Sequence, residues 1–219
     1  MQKVGDNAMK KIISIILTFI FLFTFASAQE LYTEYANTLN DIGLFKGTEN
    51  GYELDKTFTR SEGATMIVRL LGKEDEALSA INPSTVFEDV KQHWSLPYVS
   101  YCYNNGITKG TSKTEFSPEV QMTGEEYVTL ILRSLGYSNV NPENADIAAA
   151  EFSLASSGTL KELFSGDFTR NKMVYVSYMA LNVMDAKGTR LIDRLADSGV
   201  VKQRAASNVK FPELELDFK

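Results

Sequence analysis

The chain has 219 residues, with 22 basic and 28 acidic side chains that give a formal net charge of −6. An acidic chain is a poor nonspecific nucleic-acid binder, because such binding requires cations that neutralise phosphates. A single cysteine excludes an intramolecular disulfide, so we expect an apolar core to stabilise the fold. The chain is long enough to form such a core.

The first 28 residues have the pattern of a secretory signal peptide. Lys10 and Lys11 precede a mostly apolar stretch, residues 12–25, which ends in the small residues of segment 26–28 (ASA). The apolar stretch is shorter than the about 20 residues that a transmembrane helix needs. We therefore predict an exported chain that begins at Gln29 and has no stable membrane span after cleavage. A retained N-terminal anchor is the alternative.

Similar segments precede three apolar runs: residues 58–62 (FTRSE), 122–126 (MTGEE) and 168–172 (FTRNK). The second unit follows the first at an offset of 63 residues, which becomes 64 at Thr123. A repeat of this kind indicates like units that bury their apolar faces against one another, with sites between them.

The periodicity of apolar residues predicts helices throughout. One helix covers Leu31 to Ile42, and a second runs from about Arg60 to Leu71 in the first unit. In the third unit we predict a stripe of Ile147, Ala150 and Leu154, a stop at Gly158, and a helix from Arg170 to about Met184. A short closing helix is predicted over 189–196, with Leu191, Ile192 and Leu195 facing inward.

The predicted fold is all-α, with three helix-loop-helix repeats and little strand. The predicted segments are a signal peptide (1–28), repeat 1 (29–85), repeat 2 (86–140), a divergent repeat 3 with the closing helix (141–201), and a C-terminal tail (202–219). In that tail Leu214, Leu216 and Phe218 alternate with acids, which fits a small strand or a frayed terminus.

Thr59 with Glu62, and Thr123 with Glu126, have the spacing of a capping box, which accounts for these four residues as helix starts. Arginine following the threonine is not explained by capping, because a cation at a helix N-terminus is unfavourable by about 0.3–1 kcal/mol. A guanidinium beside free helix amides can bind an anion. The alternative is that the arginine forms an ion pair with an acid of a neighbouring unit.

Three further residues bear on possible chemistry. Trp94 shares a helical spacing with Tyr98 and Cys102, which favours core packing with one edge exposed, although a tryptophan also suits the apolar face of a sugar. His93 and Cys102 are the single histidine and cysteine, too few for a zinc site and too far apart for a catalytic dyad. No cofactor motif is present, so we predict neither a cofactor nor enzymatic activity.

Together the segments 86–90 (VFEDV), 93–94 (HW), 106–110 (GITKG), 116–118 (FSP) and 123–126 (TGEE) resemble the S-layer homology module of bacterial surface proteins. The similarity extends over roughly residues 31–185 and is weakest in the third unit.

The resemblance implies three prongs around a pseudo-threefold helical core. It implies grooves that hold secondary cell-wall polysaccharide, often through a pyruvylated sugar, without covalent chemistry. By position, the ligand-binding residues would be Arg60, Arg170, Asp89 and Trp94. Because Gly124 replaces the arginine in unit two, no more than two competent grooves are expected.

The sequence thus predicts a secreted, noncatalytic module at the bacterial cell surface or cell wall. Its partners would be cell-wall polysaccharide and surface-layer or other exported proteins. The alternative is an assembly scaffold that binds proteins and has lost glycan binding.

Overall fold

The computed structural model describes residues 29–212, which consist of short helices joined by loops. The predictions for the signal peptide and for the alternating residues 214–218 lie outside the described residues. The helices are α1 (29–41), α2 (Arg60–Leu70), α3 (Glu74–Leu78), α4 (Leu96–Asn104), α5 (Gly124–Ser134), α6 (Ala145–Glu151), α7 (Ser157–Leu163), α8 (Arg170–Ala180), α9 (Leu191–Asp197) and α10 (Gln203–Ala206), with 3₁₀ turns at Glu88–Val90 and Pro142–Asn144.

The all-α prediction is confirmed, because the residues from 29 to 212 contain isolated β-bridges and no sheet. Two of these bridges join different units: Thr57 pairs with Thr169, and Thr59 pairs with Gln121. The segment that leads into α2 is therefore hydrogen-bonded to both other units. The pseudo-threefold arrangement of the repeats stays a prediction.

Helices α2, α5 and α8 are each eleven residues long and each follow a threonine N-cap. Both predicted capping boxes are confirmed, since the hydroxyls of Thr59 and Thr123 accept from the N3 amides and the N3 glutamates return to the cap amides. The third helix has Lys172 at N3, which cannot complete a capping box; its amide donates to Asn171 Oδ1, and the Thr169 hydroxyl also contacts Asn171.

Helix α5 packs against both α2 and α8, and an aromatic triangle lies near the start of all three. The ring centroids of Phe58, Tyr127 and Phe168 are 5.6 to 5.8 Å apart. Tyr127 is fully buried, and its hydroxyl is 2.7 Å from Ser177 Oγ, which satisfies the polar end of the ring. Burial raises the pKa of Tyr127.

The predicted apolar stripe of the third unit is wrong for Ile147 and Ala150, which are exposed, whereas Leu154 is buried as predicted. Ile147 is 68% exposed, and α6 instead buries Ala145, Ala148 and Ala149. Small side chains let α6 approach α5 closely, so the buried face is the face of alanines rather than of large residues. The predicted stop at Gly158 is also wrong, because Gly158 lies inside α7.

Helix α8 ends at Ala180 rather than near Met184. The chain then folds back, with the amide of Leu191 donating to Val183 O and that of Ile192 donating to Leu181 O. Leu181 and Val183 are buried in this turn, so their apolar pattern continues past the helix end. The closing helix is confirmed as α9, which buries Leu191, Ile192 and Leu195 as predicted.

Within residues 29–212, none of the helices has both the length and the apolar character required to span a bilayer.

Candidate functional site

Arg60 is the first residue of α2 and is 5% exposed. Its Nε donates to Phe116 O at 2.8 Å, and an Nη donates to Glu126 Oε1 at 2.6 Å. The guanidinium carbon lies 4.9 Å from the centroid of the Phe116 ring. Burial lowers the pKa of Arg60, although the charges of Glu126 and Asp89 act in the opposite direction. Arg60 thus makes the inter-unit ion pair that was one of its two predicted roles.

Asp89 holds the loop that Arg60 contacts. Its carboxylate accepts from the amide of Phe116 at 3.0 Å and from the amide of Ser117 at 2.7 Å. Ser117 has a φ of 58°, which few non-glycine residues adopt, so two hydrogen bonds from this loop help to maintain it. Arg60 and Asp89 therefore bind the carbonyl and the amide of one residue, Phe116, from two sides.

The helix amides beside these arginines are occupied by the protein itself. The amide of Arg60 donates to Val120 O at 2.9 Å, and that of Ser61 donates to Pro118 O at 3.1 Å. The first two amides of α8 are bound in the same way by carbonyls of segment 54–56. An anion at either arginine would have to be bound by side chains rather than by the helix N-terminus.

Arg170 has the same helix position in unit three and a looser partner. Its Nε donates to Tyr52 O at 2.9 Å, but its Nη1 is 3.6 Å from Glu62 Oε1. Glu62 is 41% exposed, whereas the carboxylate that Arg60 contacts, Glu126, is 27% exposed. The Arg170 guanidinium is thus less completely neutralised than that of Arg60.

Arg170 and Trp94 line one open cavity of about 230 Å³, which we call the groove. Trp94 is 55% exposed, so the core packing favoured by its spacing is wrong. The reason is that α4 begins at Leu96, and Trp94 precedes the helix on which its spacing was counted. The groove is lined by Phe45, Lys46, Gly47, Thr48, Glu62, Thr65, Met66, Arg69, Trp94, Arg170 and Met173.

The groove brings three cations, Lys46, Arg69 and Arg170, together with one acid, Glu62. Glu74 does not line the groove, but it accepts hydrogen bonds from two of these cations, from Lys46 at 2.5 Å and from Arg69 at 2.8 Å. Burial opposes the ionisation of Glu74, but the hydrogen bonds from Lys46 and Arg69 outweigh it, and the pKa of this carboxyl is lowered.

Lys46 and Arg69 are not predicted as site residues from the sequence. A signal was present for both, because each lies in a phrase that unit two repeats, with Lys109 and Arg133 at the matching positions.

The corresponding place in unit two is closed. A Cβ atom at Gly124 would lie 2.7 Å from a ring carbon of Phe164, so the third unit fills the space that an arginine would need. The N3 acid is also missing from unit three, where Lys172 donates to Ser165 O at 2.6 Å and to Asp167 O at 2.9 Å. Both members of the arginine–glutamate pair are thus absent between units two and three, a boundary that we call the third edge. The first edge lies between units one and two, at Arg60 and Glu126, and the second lies between units three and one, at Arg170 and Glu62.

His93 and Cys102 do not form a catalytic dyad. His93 contacts Ser95 Oγ at 2.8 Å and Glu119 Oε1 at 2.7 Å, so both ring nitrogens are engaged by residues other than Cys102. Cys102 is fully buried, and burial raises the pKa of its thiol to about 12. In the part of the chain that the structure describes, no cluster of three or more ligand side chains is placed to hold a metal ion.

The segment that contains Asp89, Trp94 and the Phe116 loop is the one that matches a known protein family. The family model of the S-layer homology domain matches residues 86–128. The chain contains an S-layer homology domain.

Among similar proteins, the "Middle cell wall protein" of Brevibacillus brevis is 34% identical over 172 residues, 69% of this chain. The "Surface layer protein" of Brevibacillus choshinensis is 41% identical over 102 residues, 45% of this chain, and the "Cell surface protein" of Thermoanaerobacter kivui is 24% identical over 190 residues, 80% of this chain.

The matched regions make up 16%, 9% and 25% of the lengths of these three relatives. The S-layer homology domain and these matches indicate an exported protein of the bacterial cell surface or cell wall.

Proposed function

We propose that the protein is a noncatalytic cell-surface module whose groove binds an acidic secondary cell-wall polysaccharide, with a pyruvylated sugar as the favoured residue. The observation that carries this proposal is the meeting of Arg170 and the exposed Trp94 in one cavity. Trp94 is not needed there for packing, since a half-exposed tryptophan beside a cation leaves apolar surface in water. Arg170 is mostly buried, at 8% exposure, and borders the same cavity.

The chemistry of the groove suits a sugar that carries a carboxylate. The planar guanidinium of Arg170 matches a carboxylate, and its own partner Glu62 is 3.6 Å away. Lys46 and Arg69 line the same cavity, and Glu74 pairs with both of them, so together they add one net positive charge. The Trp94 ring offers a flat surface for the apolar face of a pyranose. A ligand carboxylate would thus complete the neutralisation that Glu62 provides in part.

Arg60 and Asp89 have a different part in this proposal. Both hold the Phe116 loop, Arg60 is paired with Glu126 at 2.6 Å, and neither residue lines the groove, so they would support the shape of the domain rather than contact the glycan.

The test is sedimentation of the purified protein with isolated bacterial cell walls. We expect Trp94→Ala and Arg170→Ala each to weaken wall binding about tenfold or more, because each removes one element of recognition. Ile147→Ala, which truncates another exposed apolar residue, is the matched control and should bind like the wild type. Walls stripped of secondary polymer should not retain the protein. Undiminished binding of both groove variants would contradict the proposal.

The assembly scaffold is a second candidate because one edge is closed. Phe164 fills the space beside Gly124, so the third edge has a filled surface, which suits contact with another protein better than binding of a sugar. Retention on stripped walls, or binding to a wall protein that is insensitive to Trp94→Ala, would favour the scaffold over the glycan-binding module.

A further inference from the structure

A second cavity, of about 520 Å³, lies where four helices end, and we call it the C-terminal cavity. Leu71, Asn105 and Ser198 are the C-caps of α2, α4 and α9, and Ser134 is the last residue of α5. All four residues line the cavity, which shares no lining residue with the groove. Its volume is within the range of about 300–1,000 Å³ that is usual for small-molecule sites.

The charges at this cavity are positive. Lys73, Arg133 and Arg194 line it, and no carboxylate does, which is unusual in a chain with a net charge of −6. Lys73 contacts Glu76 at 2.7 Å and Arg194 contacts Asp185 at 3.3 Å, so each has one partner outside the lining. Cations near helix C-termini are favoured by the helix dipole, which explains their placement but not the open space between them.

Arg133 is the informative residue, because it forms no ion pair among residues 29–212. Its Nε donates to Val140 O at 2.8 Å, and an Nη lies 3.4 Å from Ile107 O. The side chain is half-buried; burial lowers its pKa, and the charge of Glu143 acts in the opposite direction. Glu143 therefore compensates the charge at longer range, but no carboxylate of residues 29–212 binds the guanidinium directly, as one usually does where a charge is buried.

The repeat shows which group is missing. Arg133 matches Arg69 of unit one, and Arg69 contacts Glu74 at 2.8 Å, five residues later in the chain. The residue five positions after Arg133 is Ser138, which carries no charge. The same arginine is therefore neutralised internally in unit one and left facing a cavity in unit two.

We propose that the C-terminal cavity binds a monosaccharide-sized anion, a sugar that carries a phosphate or a carboxylate. The anionic group contacts Arg133, with Arg194 and Lys73 beside it. The hydroxyls of the sugar meet three uncharged polar residues of the lining, Asn105, Ser134 and Ser198. The apolar floor includes Leu195 and Val200. This inference does not depend on the function proposed for the groove.

The test is calorimetric titration of the purified protein with glucose 6-phosphate, glucose and inorganic phosphate. We expect glucose 6-phosphate to bind about tenfold or more tightly than either of the other two, because only it carries both the charge and the ring. Trp94 is the single tryptophan and lies in the groove, so its fluorescence should not change on this binding. Absence of glucose 6-phosphate binding, or equally tight binding of inorganic phosphate, would overturn the proposal.

Three variants assign the binding to this cavity. Arg133→Gln removes the charge, and Ser138→Glu supplies the internal carboxylate while keeping the backbone contacts of Arg133. Each should weaken glucose 6-phosphate binding about tenfold. Arg69→Gln is the matched control in the groove and should leave it unchanged. Unchanged binding in Ser138→Glu together with a loss in Arg69→Gln would place the ligand in the groove and refute the C-terminal cavity.

Wall sedimentation distinguishes the two sources of such an anion. If the ligand is part of a wall polymer, Ser138→Glu lowers wall retention as well as glucose 6-phosphate binding. If the ligand is a free sugar phosphate, Ser138→Glu changes only the titration. Trp94→Ala should show the reverse pattern, losing wall retention and keeping glucose 6-phosphate binding, so the two proposals fail independently.

Discussion

Arg60 and Arg170 occupy the same helix position and donate through Nε to the carbonyls of equivalent loop residues, Phe116 and Tyr52. Around Arg60 the carboxylate partner is at 2.6 Å and Asp89 fixes the loop. Around Arg170 the carboxylate is at 3.6 Å and the space beside it is an open groove. One motif therefore serves as an internal clamp at one edge and as a candidate ligand contact at the other.

The difference shows that the motif specifies the position of the guanidinium but not its use. What the neighbouring unit presents decides whether the charge is satisfied inside the protein. At the first edge the neighbouring unit places Glu126 beside Arg60. At the second edge the neighbouring unit places Glu62 beside Arg170, and Trp94 of unit two lines the same groove. Changes at the two edges should therefore have unequal effects on stability and on binding.

The largest expected difference is between Arg60→Met and Arg170→Met. Arg60→Met leaves the Glu126 carboxylate without its partner at a mostly buried place, and should lower the free energy of unfolding by about 3 kcal/mol. Arg170→Met breaks a longer contact to a more exposed acid and should cost about 1 kcal/mol. Urea denaturation of both variants checks this order. Equal losses would show that the two edges are equally closed.

Restoring the missing arginine should not restore a groove at the third edge. Gly124→Arg forces a side chain against Phe164 and should destabilise the protein by about 1–3 kcal/mol. Adding Lys172→Glu supplies the matching acid but not the space, so thermal denaturation should show no recovery in the double variant. Lys172→Glu alone is the control. A double variant as stable as the wild type would mean that this edge is open.

Glutamine at the N3 positions separates the ion pair from the cap, because glutamine also completes a capping box. Glu126→Gln should destabilise by about 1–2 kcal/mol, since the pair with the buried Arg60 is lost. Glu62→Gln should cost less and should strengthen wall binding, because Arg170 then lacks its competing carboxylate. Urea denaturation and wall sedimentation measure the two effects. Weaker wall binding in Glu62→Gln would mean that Glu62 itself contacts the ligand.

The smallest effect is expected at Glu74, and it depends on pH. The pKa of this carboxyl is lowered in the folded protein from an ordinary value of 4.5, so its ionised form stabilises the fold. That contribution is complete above pH 4.5 and is lost as the pH falls through the lowered folded value. The difference in unfolding free energy between wild type and Glu74→Gln should therefore shrink on acidification. A difference that grows below pH 4.5 would contradict the sign.

Local interactions were predictable from the sequence, and contacts between units were not. Thr59 and Thr123 cap their helices as the spacing predicts, because a capping box involves residues three apart. The exposure of Trp94 was missed because it depends on where α4 begins. The buried alanine face of α6 was missed because large apolar residues dominate a periodicity count, whereas close helix packing favours small ones.

The candidate site was predictable only in part for the same reason. The sequence indicates that Arg60 and Arg170 have a role beyond capping, but both an anion seat and an ion pair satisfy that requirement. The choice depends on distances to Glu126 and Glu62, which lie in other units. Asp89 carries the family motif, yet its hydrogen bonds to the Phe116 loop appear only in the folded chain.

The glutamates at N3 each use their two oxygens for different tasks. In Glu126, Oε2 accepts from the cap amide of its own helix and Oε1 accepts from Arg60 of the preceding unit. Glu62 has the same division between Thr59 and Arg170. Losing a neighbour therefore also loosens the helix start that remains, which links the units energetically. A single repeat cut out of the chain should fail to fold, and the whole should melt in one cooperative step.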